Sequence, residues 1–316
     1  LHVLLNELIE SPPIDPTLKK VVALYSSWMD EATIEKRGIT PLQPDLDRIA
    51  AAKDKTDLMR LIGRIEMSAP FGFGIQPDPA DTARYKVFIG QAGLGMGRDY
   101  YTNKGAEYDD FRTAYQNHIA ALLTLTGDTD ARTSAKAVFQ LEMALAQVQW
   151  TPAQQRDVQA TYNPMNRDEL MKLAPNVDWP VVFEATGLKD TQSVVVGETT
   201  AIAKGAALLD SVPLNTWKQY LVFHRASDTS SLLPKAFDDA NFDFYSRTMR
   251  GTQQQRDRWK RGVTLVDNNI GEGLGQAYVK KHFPPQHKAQ MEQLVNNLLA
   301  ALAARIDTLD WMDDAT

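Results

Sequence analysis

Five histidines, His2, His118, His224, His282 and His287, are the first place to look for metal chemistry in this sequence. No two stand three or four residues apart on a helical stretch, the spacing that brings two imidazoles to one face around zinc. His282 and His287 are the nearest pair, and Pro284-Pro285 between them breaks any shared face. His-Glu-x-x-His does not occur. Asp238, Asp239 and Asp243 resemble an aspartate-rich magnesium motif, but they also fit a charged first turn ahead of Phe242 and Phe244, where acid suits the helix dipole. Gly93-Leu-Gly95-Met-Gly97 is not a dinucleotide fingerprint and no Lys-Ser/Thr follows it, while Gly271, Gly273 and Gly275 lie inside a helical pattern, where glycine lets two helices approach. Arg250, Arg256, Arg258, Lys260 and Arg261 form a basic run around an inward-turned Trp259 and read as a solvated face. Neither G-x-S-x-G nor S-x-x-K is present to activate a serine. Glu142 sits between Val138 and Leu145 on an apolar helix face, half-buried; a catalytic carboxylate is one reading, and a charge pair with an arginine such as Arg156 is the favoured one, since burying the carboxylate alone is costly.

Composition narrows the classes further. The 316 residues are 43% hydrophobic and 23% charged, with net charge −6 and pI about 5.5, so nothing global favours a polyanionic partner. The absence of cysteine removes disulfides, thiolate metal sites and thiol nucleophiles. No run of eighteen apolar residues suggests a membrane span, and LHVLLNELIE opens directly as an amphipathic helix rather than a signal peptide, as expected of a fragment or processed form.

The elements that would position these residues are mostly helical. The central one is AVFQLEMALAQVQWTPAQQRDVQATYN (137–163): Val138, Leu141, Leu145 and Val148 share a face, Trp150 closes it, and Thr151-Pro152 cap a second helix that leads to Arg156-Asp157 and Tyr162-Asn163. Before it, residues 1–10 form a helix stopped by Ser11-Pro12-Pro13. Asp15-Pro16 open another with Leu18, Val22, Tyr25 and Met29 inward, ended by Gly38 and Pro41, and Thr56 caps a third through Met67 with Leu58, Leu61, Ile62 and Ile65 inward. FGFGIQP (71–77) and RYKVFIGQ (84–91) form one β-hairpin, followed by an irregular glycine loop (93–102). Helices resume from Gly105 to Gly127. Asn166 and Asp178 cap two short ones, and 193–196 reads as a short strand. Helices then cover 199–211, 214–225 and 232–250, the last with Gly251 as its cap. Two long helices, 252–282 and 287–309, end the chain, the second with a broad apolar face at Met291, Leu294, Val295, Leu298, Leu302, Ile306 and Leu309. The expectation is a mainly α, multi-helix lobe over 1–316 with one small β-hairpin at about 71–91 and no obvious domain boundary.

Five stretches, in order, resemble the N-terminal half of neprilysin-like zinc metalloendopeptidases, the family that includes endothelin-converting enzyme and bacterial endopeptidase O. They are ALYSSWMDEATIEKRGITPL (23–42), GQAGLGMGRDYYT (90–102), LEMALAQVQWTPAQQRDVQATYNPM (141–165), FYSRTMRGTQQQRDRWKRGV (244–263) and LDWMDDAT (309–316). Met96-Gly97 departs from the family's usual Leu-Pro. The resemblance implies a substrate-enclosing, non-catalytic lobe of an endopeptidase that cleaves short peptides on the amino side of hydrophobic residues. It also implies that the zinc ligands, the general base, the substrate-backbone clamp and the transition-state histidine lie beyond position 316. It therefore assigns no catalytic, cofactor-binding or metal-binding residue to this chain and expects it to be inactive alone. The implied partners are oligopeptides and a C-terminal catalytic domain, with Zn2+ in the full-length enzyme, no nucleic acid and a bacterial periplasmic or exported location. A stand-alone helical binding or scaffold module is the alternative from another class; an aspartate-rich magnesium enzyme is a third.

Overall fold

A computed structural model describes residues 1–313; the close of the LDWMDDAT segment, at 314–316, lies outside the described residues. Helix α1 (His2–Glu10) stops at the predicted Ser-Pro-Pro. Asp15 caps α2 (Pro16–Met29), its carboxylate accepting the Thr17 and Leu18 N–H groups at 2.8 and 2.9 Å. The buried face of α2 is Val21, Tyr25 and Trp28, rotated from the predicted Leu18–Val22–Tyr25–Met29 line: both sets have helical spacing, and packing selects the one with the larger aromatic surface. The chain breaks at Asp30 and restarts as α3 (Glu31–Arg37), ended by Gly38 at φ +55°. Helix α4 (Gln43–Ala51) is not foreseen in the sequence. Helix α5 (Lys55–Ile62) is capped by Asp54, not Thr56, through a 2.9 Å bond from the Asp57 N–H, and it stops at Gly63. Ile65 therefore falls outside the helix and is 99% exposed, contrary to its predicted inward position.

The hairpin forms as read, from β1 (Phe71–Asp78) and β2 (Asp81–Gln91). After the glycine loop, α6 (Arg98–Thr102) gives residues 98–102 a regular turn in place of the expected irregular loop. Helices α7 (Ala106–Leu125), α8 (Ala131–Val148) and α9 (Pro152–Gln155) follow, the last with a full capping box between Thr151 and Gln154. The sheet is larger than one hairpin. A strand absent from the sequence reading, β3 (Asn163–Asn166), runs into α10 (Arg167–Leu173), and α11 (Trp179–Ala185) leads to β4 (Ser193–Val196). Together they form one four-stranded sheet in the order β1-β2-β4-β3, with β2 parallel to β4 and the other pairs antiparallel. The remaining helices are α12 (Thr199–Ser211), α13 (Leu214–Thr229), α14 (Lys235–Asn241), which continues as a π-helical turn over Phe242–Thr248, α15 (Arg258–His282) and α16 (Pro285–Ile306). Residues 252–257, predicted helical, are not. The fold is mainly α.

Among the described residues two compact units emerge, one of residues 1–31 and 256–313, the other of residues 32–255. The crossings, at Glu31–Ala32 and Gln255–Arg256, carry no Gly/Ser/Pro-rich linker, which is why composition shows no boundary. In the first unit Leu4, Leu5, Val21, Tyr25, Val266 and Leu274 form the core. Gly262 and Gly273 allow that packing: a Cβ on Gly262 would lie 2.7 Å from the Trp28 ring, and one on Gly273 2.5 Å from Thr17 Cγ2. Gly275 faces open space, so of the predicted close-approach glycines only Gly273 meets another helix. The core of the second unit is built on α8, whose Val138, Leu141 and Leu145 are buried with Tyr115, Trp179, Trp217, Tyr220 and Phe223. Each fully buried side chain of this size contributes about 1.5–3 kcal/mol before entropy is charged against it.

Candidate functional site: a buried carboxylate under the glycine loop

Glu142 is fully buried on the inward face of α8. Its partner is not Arg156, which is exposed. One carboxylate oxygen lies 2.6 Å from His224 Nε2 on α13, and the other accepts the Tyr101 hydroxyl of α6 at 2.7 Å. The sequence separations, 82 and 41 residues, explain why no local pattern reveals the pair. Tyr101 Oη in turn accepts the Met96 N–H at 3.1 Å, so the buried charge reaches the glycine loop through one phenol. Tyr115 presses on the same loop. A Cβ on Gly95 would overlap the Tyr115 hydroxyl and lie 2.5 Å from its Cζ, so position 95 admits only glycine while that ring stays in place.

Burial holds the phenols and the second histidine around this pair in their neutral forms. Burial raises the pKa values of Tyr101, Tyr115 and Tyr220 well above the ordinary phenol range, with Glu142 adding to the effect, so these groups keep their protons. Burial lowers His118 to about 4, against weaker opposing pulls from the Ala240 backbone and Glu142, so the ring is neutral, stacked on Phe244 at 5.0 Å. Burial also raises Asp228. The Glu142–His224 dyad has the composition of a general acid–base pair but is shut away from any substrate.

A second set of contacts fixes the corner after α8. The Gln91 amide pairs with the Trp150 backbone in both directions, at 2.7 and 3.1 Å. Gln149 donates to the Ala92 carbonyl at 2.7 Å, and Arg98 to the Gln149 carbonyl at 3.1 Å. Glu198 accepts the Gln91 N–H at 2.9 Å and the Gln155 side chain at 2.7 Å. Tyr162 and Asn163 have separate tasks: Tyr162 donates to Asp78 at 2.6 Å, where Lys86 also bonds and holds that carboxyl down at about 2, and Asn163 bridges the Ala160, Val196 and Gly197 carbonyls.

The other sequence candidates do not converge. Asp238 is buried and accepts from Gln255, Asp239 pairs with Lys235, and Asp243 is exposed and pairs with Arg247. Among the described residues no group of three or more His, Asp or Glu side chains could hold a metal, so these residues do not fit a zinc centre. His2 stacks on Trp259 at 4.1 Å, while His282 and His287 are exposed. In the basic run, Arg258 stacks on Trp28 and bonds its carbonyl at 2.6 and 2.9 Å, and Arg261 also lies over that ring. Two of the five cations thus hold the first unit together instead of facing solvent freely.

The sequence model of Peptidase family M13 matches residues 1–316. Endothelin-converting enzyme 1 of Homo sapiens is 27% identical over 94% of this chain and 41% of its own length, and that of Cavia porcellus is 27% identical over 94% and 42%. Among solved structures, the Mycobacterium tuberculosis zinc metalloprotease Zmp1 bound to an inhibitor superposes with TM-score 0.88 at 30% identity, over 99% of this chain and 49% of that one. PepO from Lactobacillus rhamnosis shares the fold, with TM-score 0.81 at 15% identity, over 99% and 51%. The chain thus spans about half the length, or less, of the relatives it matches. With that whole-chain match and the shared mainly helical lobe, this protein belongs to Peptidase family M13, of which it represents the N-terminal region.

Proposed function

We propose that this chain is the substrate-enclosing lobe of a zinc-dependent endopeptidase that hydrolyses short peptides on the amino side of hydrophobic residues, and that it is inactive alone. The observation that carries this reading is that a peptidase family model covers every residue, while the chain covers only 41–51% of its relatives. An interior whose acid–base dyad is shut away from substrate agrees with a wall rather than a reaction centre. Zinc, its activated water and a glutamate base belong in this reading to a catalytic segment that the 316 residues do not contain. Helix α16 supports a missing partner: no residue of Pro285–Ile306 is buried, and Met291, Leu294, Val295, Leu298, Leu299 and Leu302 are each about half exposed or more. A bacterial periplasmic or otherwise exported location belongs to the same proposal. A stand-alone scaffold finds no comparable support.

The test is reconstitution. The chain is assayed with internally quenched hydrophobic peptides and zinc, alone and joined to an M13 catalytic segment carrying His-Glu-x-x-His. Cleavage is expected only in the joined protein, and robust zinc-dependent cleavage by the chain alone would overturn the reading.

A further inference from the structure

Strand β1 is an edge of the sheet, and its free side can be worked out from the bonds on the other side of β2. The Gly197 N–H donates to the Ile89 carbonyl at 2.8 Å, and the Gln91 N–H to Glu198 at 2.9 Å. Ile89 and Gln91 therefore turn their backbone groups away from β1. Because antiparallel pairing alternates, the bonds to β1 run through Gly90, Phe88 and Lys86, opposite Gly72, Gly74 and Gln76. Phe71, Phe73, Ile75 and Pro77 then point their backbone groups outward. Pro77, which has no N–H, sits on the one side where a strand tolerates it. Among the described residues no hydrogen bond beyond the hairpin uses the Phe73 or Ile75 backbone. An uncharged edge of this kind is a template for another strand.

Beside it runs a groove of about 450 Å³ whose walls include Ile62, Ile65, Met67, Phe73, Ile75 and Leu188. Arg64 lines this groove and also a neighbouring 310 Å³ pocket, where Arg48, Arg60 and Arg64 surround a floor of Ala51, Ala52 and Leu61. The guanidinium groups are held by carboxylates: Arg64 by Glu66 at 2.5 Å, Arg60 by Asp57 at 2.8 Å, and Arg48 by Asp45 at 2.7 Å, with Arg225 also on Asp45 at 2.6 Å. Of the charged groups that line this pocket, three are arginines and one, Asp57, is a carboxylate. Arg48 and Arg60 each engage through Nη1 alone, and among the described residues their Nε and Nη2 donors have no protein partner. A guanidinium with an open edge is suited to a second, bidentate carboxylate.

We propose that the β1 edge, the apolar groove and the arginine pocket form one peptide site, which takes an extended oligopeptide by strand addition and holds its free C-terminal carboxylate between Arg48 and Arg60. The outward N–H and C=O groups select extended backbone, the groove takes alternate apolar side chains, and the excess positive charge selects an acid end over an amide. That the ligand is an oligopeptide rests on the peptidase reading above.

The test uses the 316-residue chain and an N-terminally labelled octapeptide of alternating Val and Thr, as free acid and as C-terminal amide, followed by fluorescence anisotropy. The acid is expected to bind saturably and the amide about tenfold more weakly. Replacing both exposed arginines (Arg48→Ala with Arg60→Ala) brings the acid down to the level of the amide. Ile75→Pro, which loses the outward N–H together with the groove side chain, weakens both about tenfold, whereas Ile75→Ala, which loses the side chain but keeps the N–H, weakens them less; circular dichroism of each variant shows that the hairpin is kept. Equal binding of acid and amide, indifference to Ile75→Pro, or no binding at about 1 mM peptide would overturn the proposal. So would displacement by inorganic phosphate alone, which would mean an anion site, or self-association abolished by Ile75→Pro, which would mean a second copy on the edge. The assay needs neither zinc nor turnover, so its failure is separable from failure of the reconstituted peptidase.

Discussion

Replacing Glu142 by glutamine tests whether the buried carboxylate holds the glycine loop or merely fills space. The substitution keeps the shape of the side chain, so no cavity term enters. It changes two bonds, the 2.6 Å contact with His224 and the 2.7 Å bond from Tyr101. Hydrogen bonds to a charged group are worth about 1.5–3 kcal/mol, roughly twice a neutral one, so two downgraded bonds should cost about 2–3 kcal/mol. Urea unfolding followed by tryptophan fluorescence measures this, and for a unit of this size the melting temperature should fall by about 5–10 °C. A local readout separates the relay from general destabilisation. The Met96 N–H is bonded to Tyr101, whose own proton points at Glu142, so exchange of the Met96 amide should accelerate beyond the change in global stability. Arg156→Ala, the partner expected from the sequence, should stay within about 0.5 kcal/mol of the parent. A loss below about 0.5 kcal/mol for Glu142→Gln, or unaltered Met96 protection relative to the global opening, would refute the reasoning.

Three further outcomes follow from the packing. Gly95→Ala should destabilise by about 3 kcal/mol or more in thermal unfolding, and Tyr115→Phe in the same background should recover only part, because the Cβ would still meet Tyr115 Cζ at 2.5 Å. His118 has a folded pKa near 4 against 6.5 in water, so the unfolded chain binds its proton first: this contribution is complete above pH 6.5 and is lost as pH falls toward 4. Acid titration of stability should show that loss, about 3 kcal/mol in all, and His118→Phe should remove it. Leu298→Glu with Leu302→Glu on α16 should leave the unfolding free energy within about 0.5 kcal/mol while reducing binding of a hydrophobic dye, since neither residue is buried.

The parts legible in the sequence are those specified locally. Asp15-Pro16, Thr151-Pro152 and Asn166 announce their helices because a cap and its N–H partners lie within three residues, and the structure shows each of those bonds. The hairpin is legible for the same reason. What escaped depends on distant partners or on the choice between equivalent faces. Strand β3 is four residues long, contains Pro164, and exists because β4 accepts it. The face of α2 turned by a residue because Trp28 found Arg258 and Gly262, 230 and more positions away. For Glu142 the burial is legible in the sequence but the partner is not. An acid on an apolar stripe demands a donor, yet the donors, His224 and Tyr101, belong to two other helices.

The chemistry of the interior argues for the division of labour proposed here. A reaction centre needs groups that exchange protons near neutral pH in reach of a substrate. The second unit does the reverse: His118 is held neutral, Tyr101, Tyr115 and Tyr220 are held protonated, and Glu142 is closed in by two partners. Such groups cost stability compared with a plain apolar core, so their presence has to be explained by what they position. They position the loop 92–97, through Met96 and Gly95, and that loop is tied by Gln149 and Arg98 to the corner that carries the sheet. A network that fixes one loop to one corner narrows the shapes available to the wall between them. If this is its purpose, Glu142→Leu, which trades the charge for packing, should recover stability relative to Glu142→Gln yet leave the Met96 amide exchanging fast. Recovery of both together would reduce the network to simple filling of the core.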